Sequence, residues 1–248
     1  MKTYQISKFT NKILFLTSII VLFSSAYIIP RIDVNHLQDK VMQKISGYYP
    51  DEFDVTADQN GVINVSGEVN TLFDKLKVAE LISQVKGVSK INNNIEVETE
   101  TTADDEIKAN IEYELKLNSV ILEPEKINVE VKNGVVNLSG TVSSFREKLM
   151  AQTIASWQNG VTDMKSNITV LSPAAARSDN NLRAIIKDIL KDRFGLEDHV
   201  KFNVNNGVVD LLGSTKSLYA KDKIGEEVQQ IVGVKKVLNE LNVEQPEE

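Results

Sequence analysis

The stretch NGVVNLSGTV at residues 133–142 decides how this chain folds, because it occurs three times. The pattern reads NGVINVSGEV at residues 60–69 and NGVVDLLGST at residues 206–215, each copy 73 residues after the last. In every copy an Asn-Gly pair stands between runs of alternating apolar residues. Asn-Gly in this setting is the strongest short signal for a β-hairpin, because both residues accept positive φ. The chain therefore repeats one structural unit three times.

Two further landmarks recur with the same spacing. A Gly-Val pair lies at 87–88, 160–161 and 233–234, and alternating apolar positions follow each pair. Within a unit the apolar spacing predicts helix, strand, strand, helix, strand. That order gives an antiparallel hairpin and a third strand reached by a helical crossover. The predicted fold class is therefore α+β, with three tandem αββαβ units, each a small three-stranded mixed sheet with two helices on one face.

Particular residues are predicted to shape the turns and the helix ends. The second helix of each unit is expected to begin at a hydroxyl N-cap, which is Thr71, Ser144 or Ser217. It is expected to end at the Gly of the Gly-Val pair, acting as a left-handed C-cap. The first strand of repeat 1 is displaced by one residue, which predicts a longer hairpin turn there. The predicted turn and cap glycines are Gly61, Gly67, Gly87, Gly134, Gly140, Gly160, Gly207, Gly213 and Gly233.

The first 31 residues are predicted to be a targeting segment outside the repeats. Three lysines among the first 12 residues precede an uncharged run at residues 13–29, a pattern typical of a signal peptide or signal anchor. Cleavage after Ala26 would release a soluble periplasmic protein, whereas retention would tether the protein to the inner membrane by residues 13–29. Both outcomes remain open. The predicted domains are this segment at 1–31 and repeats at 32–98, 104–171 and 178–245.

Composition excludes several classes of function. The 248 residues include 28 basic and 35 acidic side chains, a net charge of −7, which argues against a nucleic-acid partner. The absence of cysteine excludes disulfides, thiolate metal sites and a cysteine nucleophile. Only His36 and His199 remain for imidazole chemistry, and no catalytic motif accompanies them. The sequence thus predicts a non-enzyme with no cofactor and no metal site.

The repeats serve as controls for one another in the search for a binding surface. The second helix of repeat 2 carries Met150, Ile154 and Trp157 at positions i, i+4 and i+7, a stripe that is mostly polar in the other repeats. An exposed stripe of this kind would suit insertion at a bilayer interface. Alternatively, it packs against a neighbouring repeat, or the helix of repeat 2 is locally repacked. These three residues are the candidate lipid- or partner-binding site.

The repeated landmarks resemble the BON domain (bacterial OsmY and nodulation) family. The matching segments are GVSKINNNIEV at 87–97 and GVKKVLNELNV at 233–243, whereas repeat 2 has Ser166 where the family usually has Asn. The resemblance implies an exported, non-catalytic envelope protein that binds membrane phospholipid surfaces in osmotic or envelope-stress protection. The alternative is a structural protein whose repeats mediate protein–protein assembly in the envelope, through inter-repeat or homo-oligomer contacts.

Overall fold

The computed structural model describes residues 32–50, 53–171 and 178–244. The predicted targeting segment at 1–31 lies outside these residues. Among the residues that are described, no helix is both long enough and apolar enough to cross a membrane.

Each repeat has the element order αββαβ, as the sequence predicts. Repeat 1 contains α1 (Val34–Ser46), β1 (Asp54–Ala57), β2 (Val62–Val69), α2 (Leu72–Ser83) and β3 (Lys90–Val97). Repeat 2 contains α3 (Asp104–Leu117), β4 (Ile127–Lys132), β5 (Val135–Val142), α4 (Phe145–Ser156) and β6 (Asp163–Val170). Repeat 3 contains α5 (Asp179–Ile189), β7 (Val200–Asn205), β8 (Val208–Thr215), α6 (Leu218–Gln229) and β9 (Lys236–Val243).

The three sheets share one topology. In each, the middle strand pairs antiparallel with the first strand and parallel with the third. Alternate residues of the middle strand, such as Ile63 and Val65, are buried in the same core as Val41 of α1 and Ile82 of α2. Both helices therefore cover one face of the sheet and leave the other open, which confirms the predicted α+β class.

The hairpin turns follow the Asn-Gly signal. Asn133 and Gly134 have φ of 51° and 74°, and the corresponding pair in repeat 3 has φ of 50° and 79°. Asp104, the first residue of α3, accepts hydrogen bonds from the backbone N–H of Asn133 and Gly134 at 2.8 and 2.9 Å. Asp179 makes the same pair of bonds in repeat 3. An acid at the start of the first helix therefore ties that helix to the hairpin turn.

Repeat 1 has the longer hairpin turn that its displaced first strand predicts. The last residue of β1, Ala57, pairs with Ile63 rather than closing a two-residue turn. The Asp58 carboxylate accepts the backbone N–H of Val62 and of Asn60, both at 2.8 Å. These hydrogen bonds, that from Val62 above all, lower the pKa of Asp58. The Asp58–Gly61 segment thus uses its carboxylate to close a turn.

The N-caps of the second helices are confirmed. Thr71, Ser144 and Ser217 each accept a hydrogen bond from the backbone N–H three residues on, at 3.1, 3.2 and 3.1 Å. Each hydroxyl satisfies one of the unpaired N–H groups of the first helical turn.

The predicted glycine C-cap is wrong. Helix α2 ends at Ser83, followed by a right-handed C-cap at Gln84, and Gly87 lies in the turn beyond it with φ of 101°. The reason is a close approach of two turns, since a Cβ on Gly61 would lie 2.0 Å from the Gly87 carbonyl oxygen. The helix stops early so that the Gly-Val turn can pack against the hairpin turn.

Each repeat therefore has two distinct ends. At the hairpin end lie the hairpin turn, the start of the first helix and the Gly-Val turn that follows the second helix. At the opposite end, here named the crossover end, the first strand begins, the other two strands end and the second helix starts. The second helix runs from the crossover end to the hairpin end.

Candidate functional site

Over residues 32–50, 53–171 and 178–244, no group of three or more His, Asp or Glu side chains is placed to hold a metal ion. His36 and His199 are both exposed and lie in different repeats. The features that stand out are instead contacts between repeats.

The structure places the predicted stripe in three different environments. Ile154 is 5% exposed and belongs to the core of repeat 2. Met150 is half-buried against the same core. Trp157 forms the C-cap of α4 and is 54% exposed. The three side chains therefore do not form one continuous exposed surface, and Trp157 is the only one of the three that is largely exposed.

Trp157 lies at a joint between repeats 1 and 2. Its ring meets the Phe73 ring of α2 edge to face, with centroids 5.1 Å apart. Leu72, the first residue of α2, is 4% exposed and belongs to the core cluster of repeat 2 rather than that of its own repeat. Beside them, the Gly160 N–H donates to Thr99 Oγ1 at 2.8 Å. The crossover end of repeat 1 thus packs on the hairpin end of repeat 2.

A second joint uses the same position of the repeat. Leu218 is the first residue of α6 and the equivalent of Leu72, and it packs against the core of repeat 1. Helix α2 consequently contacts both α4 and α6. Repeat 1 therefore lies between the other two, receiving a leucine from repeat 3 and giving one to repeat 2.

The second helices enclose a cleft of about 300 Å³ where the repeats meet. Its lining includes Glu80 of α2, Thr153 of α4 and Glu226 of α6, which occupy the same repeat position. Lys223 pairs with Glu226 at 2.7 Å. Burial opposes the charge on Lys223, but the Glu226 carboxylate outweighs this effect and the pKa of Lys223 is raised. The cleft between the modules is therefore lined by apolar side chains, such as Leu76 and Leu149, as well as by charged ones.

Repeat 3 differs from its siblings at one apolar position of the second helix. At the position of Leu81 in α2 and Ile154 in α4, which are 2% and 5% exposed, α6 has Glu227. Glu227 forms an ion pair with Arg193. Repeat 3 therefore has an ion pair where the other two repeats bury an apolar side chain.

The residues that build the joints are not among the predicted site residues. Leu72, Phe73 and Leu218 carry the inter-repeat contacts, and only Trp157 of the predicted stripe shares in them. A signal was available, since the first position of the second helix reads Leu, Phe and Leu in the three repeats.

The family model for the BON domain matches residues 33–99, 103–172 and 178–245. The chain belongs to the BON domain family. Three tandem BON domains are therefore present, as the sequence resemblance implied. The search of curated proteins finds no match.

The search of solved structures finds matches at low sequence identity, and two of them are described here. The C-terminal domain of CdsD, described as the structural protein of the Type III secretion system of Chlamydia trachomatis, is 19% identical, with 87% of this chain and 100% of that chain covered and a TM-score of 0.24. The PrgH periplasmic domain is 10% identical, covering 79% of this chain and 95% of that chain with a TM-score of 0.20. These scores are too low to support an argument about arrangement or function.

The asparagine typical of BON repeats links the third strand to the second helix. Asn93 donates to the Lys75 carbonyl at 2.9 Å, and Asn239 donates to the Lys221 carbonyl at 2.8 Å. In repeat 2 the equivalent residue is Ser166, whose buried hydroxyl has no hydrogen-bond partner among the described residues. Because repeat 2 departs from the family pattern at this position, it lacks the side-chain hydrogen bond that joins the third strand to the second helix in the other repeats.

Proposed function

We propose that this chain is an exported, non-catalytic BON protein of the envelope that works as a scaffold, its three repeats packed into one body for protein–protein assembly. The observation that carries the proposal is the repeated leucine contact. Leu72 and Leu218 occupy the same position of the repeat, and each is packed against the core of a neighbouring repeat. Because the same position of the repeat makes an inter-repeat contact in two cases, the observation supports repeats that pack on one another rather than repeats that move independently on flexible linkers.

Energetics support stable joints. Burying one leucine side chain contributes about 2 kcal/mol. The connector at 98–103 is short, so the repeats it joins meet at high effective concentration and modest contacts suffice. Membership of the BON family supports an envelope location and a role without catalysis. The protein would be periplasmic, either soluble after cleavage or tethered by residues 13–29.

Phospholipid binding is the second candidate, and one observation favours it. Trp157 is 54% exposed, and Leu76, one turn along α2 from Phe73, is 48% exposed. An indole and a leucine at the edge of a joint suit the interfacial zone of a bilayer. In this account Trp157 contacts lipid, while Ile154 and Met150 hold its helix on the core of repeat 2. Such binding would serve osmotic or envelope-stress protection.

The scaffold proposal is tested by the protection of the connector. A glutamate-specific protease can cleave after Glu98 and Glu100, both of which are exposed. In the full chain, Leu72→Ser is expected to speed this cleavage at least about fivefold, because the joint that holds Thr99 against Gly160 opens. Leu212→Ser, which removes an exposed leucine from the open sheet face of repeat 3, is the control and is expected to leave the rate unchanged. Equal rates in wild type and Leu72→Ser would contradict the proposal.

A further inference from the structure

Three exposed leucines lie at the crossover end of repeat 2. Leu117 ends α3, and Leu171 follows β6, where its N–H donates to the Val142 carbonyl at 2.8 Å. The Leu122 N–H donates to Glu147 Oε2 at 3.3 Å, in the first turn of α4. Their exposed fractions are 62%, 69% and 58% for Leu117, Leu122 and Leu171. This surface is called the leucine end below.

The other two repeats lack these leucines. The residues equivalent to Leu171 are Glu98 in repeat 1 and Glu244 in repeat 3. Their N–H groups make the same backbone hydrogen bond, each at 2.8 Å. Leu122 follows the buried Ile121, whereas in repeat 3 Glu197 follows the buried Leu196. The residue of repeat 3 equivalent to Leu117 is Asp192. Asp192 lies two residues after the buried Leu190, just as Leu117 lies two residues after the buried Leu115. The exposed leucines at this end are therefore particular to repeat 2, whereas repeat 1 exposes Tyr48 just after its first helix.

We propose that the leucine end is the docking surface for a second copy of this chain, in a two-fold contact. The inference rests on the proposed scaffold function, because the crossover ends of repeats 1 and 3 already pack on BON units through Leu72 and Leu218. In the proposed dimer, the crossover end of repeat 2 likewise packs on a BON unit, and that unit belongs to the second copy of the chain. A two-fold contact brings the same patch of both copies together.

The charges around the leucine end favour a second copy over a membrane. Lys116 precedes Leu117, and Glu123, which follows Leu122, pairs with Lys126 at 2.7 Å. Both signs on one patch are self-complementary, since each lysine can face a glutamate of the other copy. An apolar centre with a charged rim is also the usual composition of a protein interface. An anionic bilayer would gain no net attraction from this rim and would be repelled by a chain of net charge −7.

Cysteine cross-linking of the full chain tests the proposal, because the native sequence contains no cysteine. Leu122→Cys places one thiol at the most exposed position of the leucine end, where a two-fold contact is expected to bring it near the same residue of the other copy. Leu212→Cys is the matched control, since Leu212 is also exposed, at 44%, but lies on the open sheet of repeat 3. Oxidation is expected to give a disulfide-linked dimer of the first variant and not of the second. Adding Leu171→Glu to Leu122→Cys is expected to reduce the dimer about tenfold or more.

The outcomes separate this inference from the proposed function. No dimer from Leu122→Cys, or equal dimer from Leu212→Cys, would overturn docking of a second copy. A monomer that loses binding to phosphatidylglycerol vesicles on Leu171→Glu would overturn it in favour of a bilayer. Connector protection measured with Leu72→Ser reports the scaffold separately, so either claim can fail while the other stands.

Discussion

The rings of Phe73 in repeat 1 and Trp157 in repeat 2 meet edge to face, with centroids 5.1 Å apart and planes inclined at 63°. This pair belongs to the joint in which Leu72 enters the core of repeat 2. Trp157 is the only tryptophan in the chain, so it reports on this joint alone. The joint turns two small domains, each with a limited core of its own, into a larger packed body.

Phe73→Ala is expected to expose Trp157 without unfolding either repeat. Removing the Phe73 ring exposes more of the indole to water. The emission of Trp157 should therefore shift to longer wavelength, and its quenching by iodide should increase. Fluorescence of the full chain measures both. Tyr219→Ala, at the equivalent position of α6, is the control and should leave the emission unchanged. Identical spectra for Phe73→Ala and wild type would show that the two rings do not meet.

Ser166→Asn together with Gln152→Ala is expected to stabilise repeat 2. The introduced asparagine side chain would donate to a backbone carbonyl of α4, as Asn93 and Asn239 do to their helices. The helix must offer space beside the asparagine. Repeat 1 shows that alanine is small enough, because Ala79 occupies the position of Gln152 and Asn93 still makes its hydrogen bond. One recovered hydrogen bond contributes about 1 kcal/mol. Denaturant unfolding of the two single variants and the double variant measures the coupling.

The coupling between the two substitutions decides that prediction. Ser166→Asn alone should be neutral or destabilising because Gln152 fills the site, and Gln152→Ala alone should gain nothing. Additive effects of the single variants would contradict the account, since residues that share a space are expected to be coupled.

Gly134→Ala is expected to destabilise repeat 2 by about 2–4 kcal/mol. Gly134 has φ of +74°, and an added Cβ would lie 2.6 Å from the Gly160 carbonyl oxygen. Gly47→Ala is the control, because Gly47 has φ of −68° and its nearest neighbour would be 3.7 Å away. The control should be neutral or slightly stabilising. Thermal unfolding compares the two, and similar losses would argue against the contact between the two turns.

Tyr49 is expected to give the protein an alkaline limit of stability. Burial raises the pKa of Tyr49 to about 12 from 10.0, with a further contribution from Asp74, whose carboxylate accepts the phenol O–H at 3.1 Å. Because the folded state holds the proton more tightly, this stabilisation is complete below pH 10 and is lost as the pH rises towards 12.

Tyr49→Phe separates the hydrogen bond from the rest of the repeat. The variant should be less stable than wild type by about 1 kcal/mol at neutral pH, since it lacks the bond to Asp74. The difference should shrink between pH 10 and 12, where wild type alone must lose its phenolic proton. Chemical unfolding across that range measures it. A difference that stays constant with pH would contradict the assignment.

The fold was predictable because its signals are local and repeated. Asn133-Gly134 specifies a turn by its own backbone preferences, and three copies in register fix the element order. The end of α2 was predicted wrongly because the Gly61–Gly87 approach is a tertiary contact. No pattern along one helix reveals that a turn elsewhere requires the chain to leave the helix early.

The candidate site was only partly predictable, because one helix face serves two purposes. The spacing of Met150, Ile154 and Trp157 places them near one another on the helix. In the structure, however, Ile154 is buried in the core of repeat 2, whereas Trp157 contacts Phe73 of repeat 1. Periodicity does not distinguish these two directions. Leu72 was missed because its partner core lies in another repeat, and only a structure containing both repeats brings them together.

The packing of neighbouring repeats through their second helices is tested most directly by a nuclear Overhauser effect between the Trp157 indole and the Phe73 ring. The measurement uses the full chain with the aromatic residues selectively labelled, and the single tryptophan makes the indole signals unambiguous. With ring centroids 5.1 Å apart, cross-peaks between the two side chains are expected. Cross-peaks from the indole to protons of repeat 2 alone would contradict the packed arrangement and leave the BON domains as separate modules on their linkers.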